Sequence, residues 1–151
     1  MANYQPNGQV FFSAISLVTA APVCRVGTRR VEDGEEYVYF LNNTGSSVTQ
    51  GALMIKSLNS VTRSSTVSAD LAYCGVKHAA VPAAEYAWGL TRGEMIALSG
   101  AVAAGELINI GTDGAIKTAI TGSFATGPIV GKVLSAGGAN AGARILLRAD
   151  G

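Results

Sequence analysis

Short apolar runs separated by glycine-containing polar turns recur along most of the chain. The clearest runs are Tyr37–Leu41, Tyr86–Trp88, Met95–Leu98 and Leu107–Ile110. Turns that follow one another every ~8–12 residues are typical of antiparallel β-sandwiches and barrels. The pattern therefore predicts an all-β fold, a small antiparallel β-sandwich or barrel.

Turn residues predict where the chain reverses between these strands. The Glu-Asp-Gly-Glu turn at residues 32–35 precedes the strand Tyr37–Leu41, and Asp113-Gly114 separates the apolar runs of a second hairpin, residues 104–120. Asp-Gly between two apolar runs is a strong hairpin signal. The C-terminal segments Pro128–Leu134 and Arg144–Arg148 are predicted to be the last pair of strands.

Residues 79–90 are rich in alanine, the best helix former, and could therefore form a helix. Pro82 interrupts that pattern. We predict instead a strand at Tyr86–Leu90 that is closed by a turn.

A weak internal repeat links two parts of the chain. The segments Val48–Met54 and Val102–Ile108 both follow the pattern V-x-x-G-x-L-apolar. A glycine in this place permits the positive φ of a turn before an apolar strand enters the core. The repeat predicts two matched halves within one β domain.

The N-terminal residues differ from the rest of the sequence. Residues 1–9 contain Pro6 and Gly8 and lack apolar periodicity, which is typical of an extended arm. A β-prone stretch, Val10–Val18, follows. We predict an N-terminal arm over residues 1–12 and a single β domain over residues 13–151.

The apolar segment Val10–Cys24 resembles an export signal in length. No Lys or Arg precedes it, and at about 15 residues it is too short to span a bilayer. The sequence therefore predicts a protein made in the cytoplasm with no membrane association.

Composition narrows the classes of partner. The chain has 151 residues, of which 11 are Lys or Arg and 10 are Asp or Glu, for a formal charge of +1. Without a basic field, direct binding of nucleic acid is not expected. Only 14% of residues are charged and 48% are hydrophobic. Such a surface predicts coverage by a partner or by copies of the same chain.

Few residues could carry chemistry. His78 is the only imidazole, and it cannot reach Cys74 on an extended strand, so nucleophilic catalysis is not expected. Cys24 and Cys74 lack the convergent ligands that a zinc site needs, and we interpret them as buried thiols rather than a disulfide. The sequence thus predicts a non-enzymatic protein with no catalytic residue, metal, cofactor or small-molecule substrate.

Two surface features remain open. Arg25, Arg29 and Arg30 lie within six residues, either as a charged edge strand that resists unwanted pairing or as a contact for an acidic partner. Tyr86 and Trp88 lie on one face of a strand, either in the core or as an aromatic platform for carbohydrate.

The second half of the chain resembles bacteriophage head decoration, or cement, proteins. The resemblance rests on a glycine-punctuated pattern within the stretch Ala72–Leu147, and the segment Asp33–Tyr39 is similar to a stretch of phage virion proteins. The matching positions are Gly75, Val76, Ala79, Pro82, Ala83, Tyr86, Trp88, Gly93, Gly100, Val102, Gly105, Leu107, Gly114, Ile129, Val130, Gly131 and Leu134.

The resemblance implies a structural virion protein on the capsid surface. Such proteins are small β-rich homotrimers that bridge neighbouring subunits of the major capsid protein and stabilise the shell. The residues expected to contact the shell are Tyr4, Gln5, Pro6, Phe11, Phe12, Arg25, Arg29 and Arg30. The alternative is a glycan- or receptor-binding module of a tail fibre or a cell-surface assembly.

Overall fold

The computed structural model describes residues 3–4, 10–11, 13–57, 60–63, 72–110, 115–118, 120–121, 124–125, 129–137 and 142–149. Within these residues the chain forms β-strands and no helix. The strands are β1 (Asn3–Tyr4), β2 (Val10–Phe11), β3 (Arg29–Glu32), β4 (Glu35–Leu41), β5 (Leu53–Ser57), β6 (Ser60–Arg63), β7 (Cys74–Gly75), β8 (Tyr86–Leu98), β9 (Leu107–Ile110), β10 (Ile116–Thr118), β11 (Ile120–Thr121), β12 (Phe124–Ala125), β13 (Gly131–Ser135) and β14 (Gly142–Arg148). The predicted all-β fold is confirmed.

Most of the strands form one antiparallel sheet. Along its main path the strand order is β10-β9-β13-β14-β8-β7-β5-β6, while β4 pairs with β8 and β3 pairs with β4. Leu53 of β5, Ile110 of β9 and Ile145 of β14 all belong to one buried cluster. The sheet must therefore curl, because strands distant in its order share one core.

The long strand β8 connects the parts of the sheet. It pairs with β4 along Tyr86–Arg92 and with β14 along Arg92–Leu98. The sequence-based prediction of two short strands, with a turn closing the first at Leu90, is wrong here. Strand pairing continues through both glycines, Gly89 and Gly93.

These two glycines serve close packing instead of chain reversal. A Cβ at Gly89 would lie 2.4 Å from Cys74 Sγ. At Gly93, whose φ is +142°, a Cβ would lie 2.7 Å from Glu35 Cγ. Glycine inside a strand often marks such a close approach.

A β-bulge at Thr91 bends β8 and changes which side chains face inward. Glu36 pairs with Arg92 and Tyr37 pairs with Leu90, so Thr91 is the extra residue. The Thr91 hydroxyl donates a hydrogen bond to the Glu36 carbonyl at 3.0 Å. Because one residue is inserted, the inward positions change from even to odd numbers along the strand. Accordingly, the same buried cluster takes Trp88 and Leu90 before the bulge and Met95 and Ala97 after it.

The predicted hairpins are present. Strands β3 and β4 pair from Glu32–Glu35 outward, and the two turn residues Asp33 and Gly34 have φ values of 52° and 78°. Two successive positive φ values are the signature of the tight turn that matches strand twist. Strands β9 and β10 also pair antiparallel, although their predicted turn, Asp113-Gly114, lies outside the described residues. Strands β13 and β14 pair antiparallel too.

The two repeated segments have the same local structure. Gly51 and Gly105 adopt φ values of 92° and 88°, and each N–H donates to a valine carbonyl, that of Val76 directly after β7 or that of Val133 in β13. These bonds join Gly51 to Val76 at 2.7 Å and Gly105 to Val133 at 2.8 Å. The repeat is therefore a structural one.

The repeat extends to the strand order. From its ends inward, the main path is β6-β5-β7-β8 in one half and β10-β9-β13-β14 in the other. In both halves a hairpin is followed by two further antiparallel strands, and the halves meet at the β8–β14 pair. This arrangement confirms the prediction of two matched halves.

The N-terminal segment contains less strand than predicted. Among the described residues of the predicted stretch Val10–Val18, only Val10–Phe11 is a strand, and it pairs with β1. Further on, the Leu17 N–H donates to the Ala14 carbonyl at 3.1 Å, which makes a turn.

Candidate docking surface

The basic segment and the N-terminal arm lie at the same edge of the sheet. Strand β3 pairs with β4, and the backbone of β1 lies beside β3. Tyr4 is in β1 and Phe11 is in β2. The other arm residues expected to contact a partner, Gln5, Pro6 and Phe12, lie outside the described residues.

Arg25 and Arg29 are both exposed at this edge. Arg29 lies on β3, opposite Val38 of β4. Arg25 lies in the turn that leads to β3, where its carbonyl accepts hydrogen bonds from the Thr28 N–H at 3.0 Å and the Thr28 hydroxyl at 2.6 Å. The two side chains therefore remain accessible next to the arm.

Arg30 differs from its neighbours because it is buried, with 1% of its surface exposed. Its Nη1 donates to the Ser13 carbonyl at 2.8 Å, and its Nη2 lies 2.6 Å from Glu32 Oε2. The guanidinium also lies 5.4 Å from the centre of the Trp88 ring. Arg30 was grouped with the shell contacts on its sequence position, but these contacts tie it to the interior.

A polar cluster that includes Glu35, Tyr37, Lys77 and His78 lies where β4 begins. Glu35 Oε2 accepts a hydrogen bond from the Tyr37 hydroxyl at 2.6 Å and forms an ion pair with Lys77. Glu35 Oε1 accepts from the Glu94 N–H at 3.1 Å. The His78 ring stacks on Tyr37 with 5.8 Å between ring centres. Glu35 thus joins β4, β8 and the segment after β7.

The charge states of this cluster follow from its contacts. Partial burial would raise the pKa of Glu35, but the hydrogen bonds from Lys77, Tyr37 and the Glu94 N–H lower it overall. Burial and the adjacent Glu35 carboxylate raise the pKa of Tyr37. Burial and the neighbouring Lys77 lower the pKa of His78. At neutral pH the carboxylate is therefore charged and the phenol remains its donor.

We expect Glu35→Gln to cost about 1 kcal/mol of stability at pH 7, because charge-assisted hydrogen bonds are lost. The pKa of Glu35 is depressed below its ordinary value of 4.5 on folding. Its contribution is therefore fully present above pH 4.5 and disappears as the pH falls through the lower folded-state pKa. Urea titrations at pH 7 and pH 3 should show the difference between variant and wild type shrinking in acid.

The matched control is Glu85→Gln, whose side chain has no hydrogen bond or ion pair with any described residue. It should change stability little at either pH. An equal loss for both variants, or a Glu35→Gln effect that persists at pH 3, would contradict the role given to Glu35.

The structure keeps the two cysteines and the histidine apart. Cys24 and Cys74 are free thiols, and burial raises the pKa of both. Cys74 packs against Gly89, whereas His78 contacts Tyr37. Among the described residues, no group of His, Cys, Asp or Glu could hold a metal ion.

Trp88 belongs to the core. It is 3% exposed, and its ring lies 5.0 Å from that of Tyr39, which in turn stacks on Tyr86 at 5.9 Å. An aromatic platform for carbohydrate needs an exposed ring, so Trp88 cannot provide one. The described part of the chain also contains no helix with the length and apolar character needed to cross a membrane.

The fold and the site together define a class of protein: an antiparallel β-protein in which a basic sheet edge lies beside the paired strands β1 and β2 of the N-terminal arm. No protein-family model matches the chain, and no curated protein matches it either. In fold the chain is similar to the N base of the head fibre protein gp8.5 of bacteriophage phi29. The TM-score is 0.53 with 11% sequence identity, over 74% of this chain and 93% of that one. At this identity the likeness concerns the fold.

Sequence reasoning missed the Glu35 cluster and the interior position of Arg30. The sequence analysis assigned residues 32–35 to a turn and gave Glu35 no further role. A possible signal for Glu35 was Gly93, because glycine within a strand indicates that another group approaches closely. For Arg30 the signal was its spacing from Glu32. Residues two apart on a strand point to the same face, so the two side chains can form an ion pair.

Proposed function

We propose that this chain is a structural virion protein that decorates a bacteriophage capsid and stabilises it by bridging neighbouring subunits of the major capsid protein. The observation that carries the proposal is the likeness in fold to the base of a phage head fibre. The glycine-punctuated pattern shared with head decoration proteins supports the same class. The protein would be made in the host cytoplasm and act at the capsid surface without catalysis, as a homotrimer.

The proposed contact with the shell is the edge formed by the arm, Arg25 and Arg29. The arm's β1 lies beside β3, which lets one partner surface meet the arm and the exposed guanidinium groups together. Arginine can form paired hydrogen bonds with carboxylates, so an acidic surface on the shell fits this edge. Arg30 would contribute indirectly, because its hydrogen bond to the Ser13 carbonyl fixes the residue that follows the arm.

Stabilisation would follow from mass action. A protein that binds the assembled shell, and not its dissociated subunits, shifts the equilibrium toward the shell. A bridging protein gains this selectivity because its two contacts lie on different subunits, which are correctly spaced only after assembly. Neither a cofactor nor a substrate is required.

The test is the copy number of the chain in purified particles of the virus that encodes it, measured by quantitative mass spectrometry against the major shell protein. We expect a high copy number in simple ratio to the shell protein. Deletion of residues 2–12 should lower that number strongly and leave the remaining β domain folded, as circular dichroism of the isolated protein would show.

The control variant is Leu17→Thr, which changes an exposed residue outside the arm and should keep full occupancy. A handful of copies per particle would indicate a tail or vertex component and contradict the proposal. Unchanged occupancy after deletion of residues 2–12 would remove the arm from the contact.

A further inference from the structure

One face of the sheet carries a row of exposed or partly exposed side chains across five neighbouring strands, β3, β4, β8, β14 and β13. Residues that pair across antiparallel strands point to the same face, and the register therefore shows which side chains belong together. Arg148 pairs with Arg92, Leu146 with Glu94 and Arg144 with Ile96, and Lys132 pairs with Leu146. Across β4, Glu36 pairs with Arg92 and with Val31.

We call this set the outer face. Its exposed members are Arg29 and Val31 on β3, Arg92, Glu94 and Ile96 on β8, Lys132 on β13, and Arg144, Leu146 and Arg148 on β14. Glu36 on β4 is partly exposed and completes the row. The face begins at the arm edge, since Arg29 belongs to both.

The outer face concentrates positive charge in a chain that is nearly neutral as a whole. It carries five cations and two carboxylates, whereas the whole chain has 11 Lys or Arg and 10 Asp or Glu. Two ion pairs lie within the face, Glu94 with Arg144 at 2.6 Å and Glu36 with Arg92 at 3.8 Å. Lys132 and Arg148 form no ion pair with any described residue.

Exposed apolar side chains lie among these charges. Val31, Ile96 and Leu146 are 41%, 58% and 47% exposed. Ile96 lies over Gly142, where an added Cβ would come within 2.3 Å of Ile96 Cγ2. Apolar centres surrounded by arginine are typical of protein interfaces.

We propose that the outer face is a second docking surface that binds an acidic protein surface, and that in the virion this surface belongs to a shell subunit. The inference rests on the proposed function and deepens it, because a bridging protein needs a second contact besides the arm edge. Lys132 and Arg148 would meet carboxylates of the partner, and Ile96 and Leu146 would pack against its apolar side chains.

The charge pattern favours this occupant over two others. A second copy presenting the same face would bring like charges together, which is costly. Nucleic acid would meet the carboxylates Glu36 and Glu94 and apolar side chains, instead of the basic groove with stacking aromatic residues that single-stranded nucleic acid prefers.

The experiment uses particles assembled without this chain, to which purified full-length variants are added and bound protein is measured. Lys132→Glu combined with Arg148→Glu should weaken binding at least about tenfold, since each reversal places like charges together. The charge-conserving control, Lys132→Arg with Arg148→Lys, should bind as the wild type does. Both pairs change exposed residues, and their thermal unfolding is compared to confirm that the fold is kept.

A second pair of variants tests the apolar side chains. Ile96→Thr with Leu146→Thr keeps strand-forming residues in place and should also weaken binding. Its control, Leu17→Thr with Val23→Thr, changes residues that are 38% and 49% exposed but lie outside the outer face. Carbodiimide cross-linking on the particles should join Lys132 directly to an Asp or Glu of the shell protein.

The outcomes separate the two proposals. If the wild type binds particles, deletion of residues 2–12 weakens binding, and both outer-face variants bind as the wild type does, the outer face is not a docking surface while the proposed function stands. If the wild type does not bind at all, both proposals fail. If a labelled DNA duplex binds the wild type and only this binding is lost on charge reversal, the occupant is nucleic acid and the inference is overturned.

Discussion

Gly131→Ala is expected to lower the free energy of unfolding by about 3 kcal/mol, at the upper end of what overpacking costs. A Cβ at this position would lie 2.4 Å from the Leu146 carbonyl oxygen, which is backbone and cannot rotate away. Gly131 pairs with Leu147 on one side and with Ile108 on the other. The collision can be relieved only by moving β13 away from β14, and that movement disturbs both ladders.

Urea unfolding of Gly131→Ala measures this cost, and the m-value shows whether the transition remains cooperative. Gly100→Ala is the matched control, because nothing lies within 4 Å of a Cβ built there. Gly100→Ala should leave the midpoint nearly unchanged. Equal midpoints for the two variants would mean that β13 and β14 do not approach as closely as the structure describes.

The sequence was informative wherever one local signal decides the structure. Asp33-Gly34 and Asp113-Gly114 predicted hairpins, because few residues tolerate the positive φ that a tight turn needs. The repeat around Gly51 and Gly105 was visible for the same reason. Such signals depend only on neighbours along the chain.

Strand β8 shows where that reasoning fails. The strand was predicted to end in a turn after Leu90, but β8 continues, and Gly89 and Gly93 lie within it where Cys74 and Glu35 approach from other strands. The bulge at Thr91 also interrupts the two-residue alternation. Both features depend on contacts between distant parts of the chain, which a single sequence does not display.

The candidate docking surfaces show the same difference between local signals and contacts made by the fold. The basic segment was recognisable from composition, and Arg25 and Arg29 are exposed as a contact surface requires. The outer face could not be found from sequence, because Arg92, Lys132 and Arg148 are distant in the chain and meet only through strand register. The nearly equal numbers of basic and acidic residues in the whole chain gave no sign of this uneven distribution of charge.

Arg30→Ala is expected to cost about 3 kcal/mol, the lower end of what breaking a buried ion pair costs. The variant removes the partner of Glu32 and the donor to the Ser13 carbonyl. The lower end applies because Glu32 keeps 21% of its side-chain surface exposed and can regain water. The loss should appear in urea unfolding and, because Arg30 lies over the only tryptophan, as a red shift of Trp88 fluorescence in the native state.

Arg92→Ala is the control, since its ion pair with Glu36 spans 3.8 Å between side chains that are 55% and 43% exposed. Exposed pairs of this kind contribute little, so the free energy of unfolding of Arg92→Ala should stay within about 0.5 kcal/mol of the wild-type value. A comparable loss for both variants, or an unchanged Trp88 spectrum in Arg30→Ala, would contradict the interior role of Arg30.

Arg25→Ala should then show the opposite behaviour, with unchanged stability and weaker particle binding, because its side chain is exposed and supports no other part of the fold described here. Two arginines of one basic segment would thus have different roles, Arg30 holding the base of the arm and Arg25 contacting the partner.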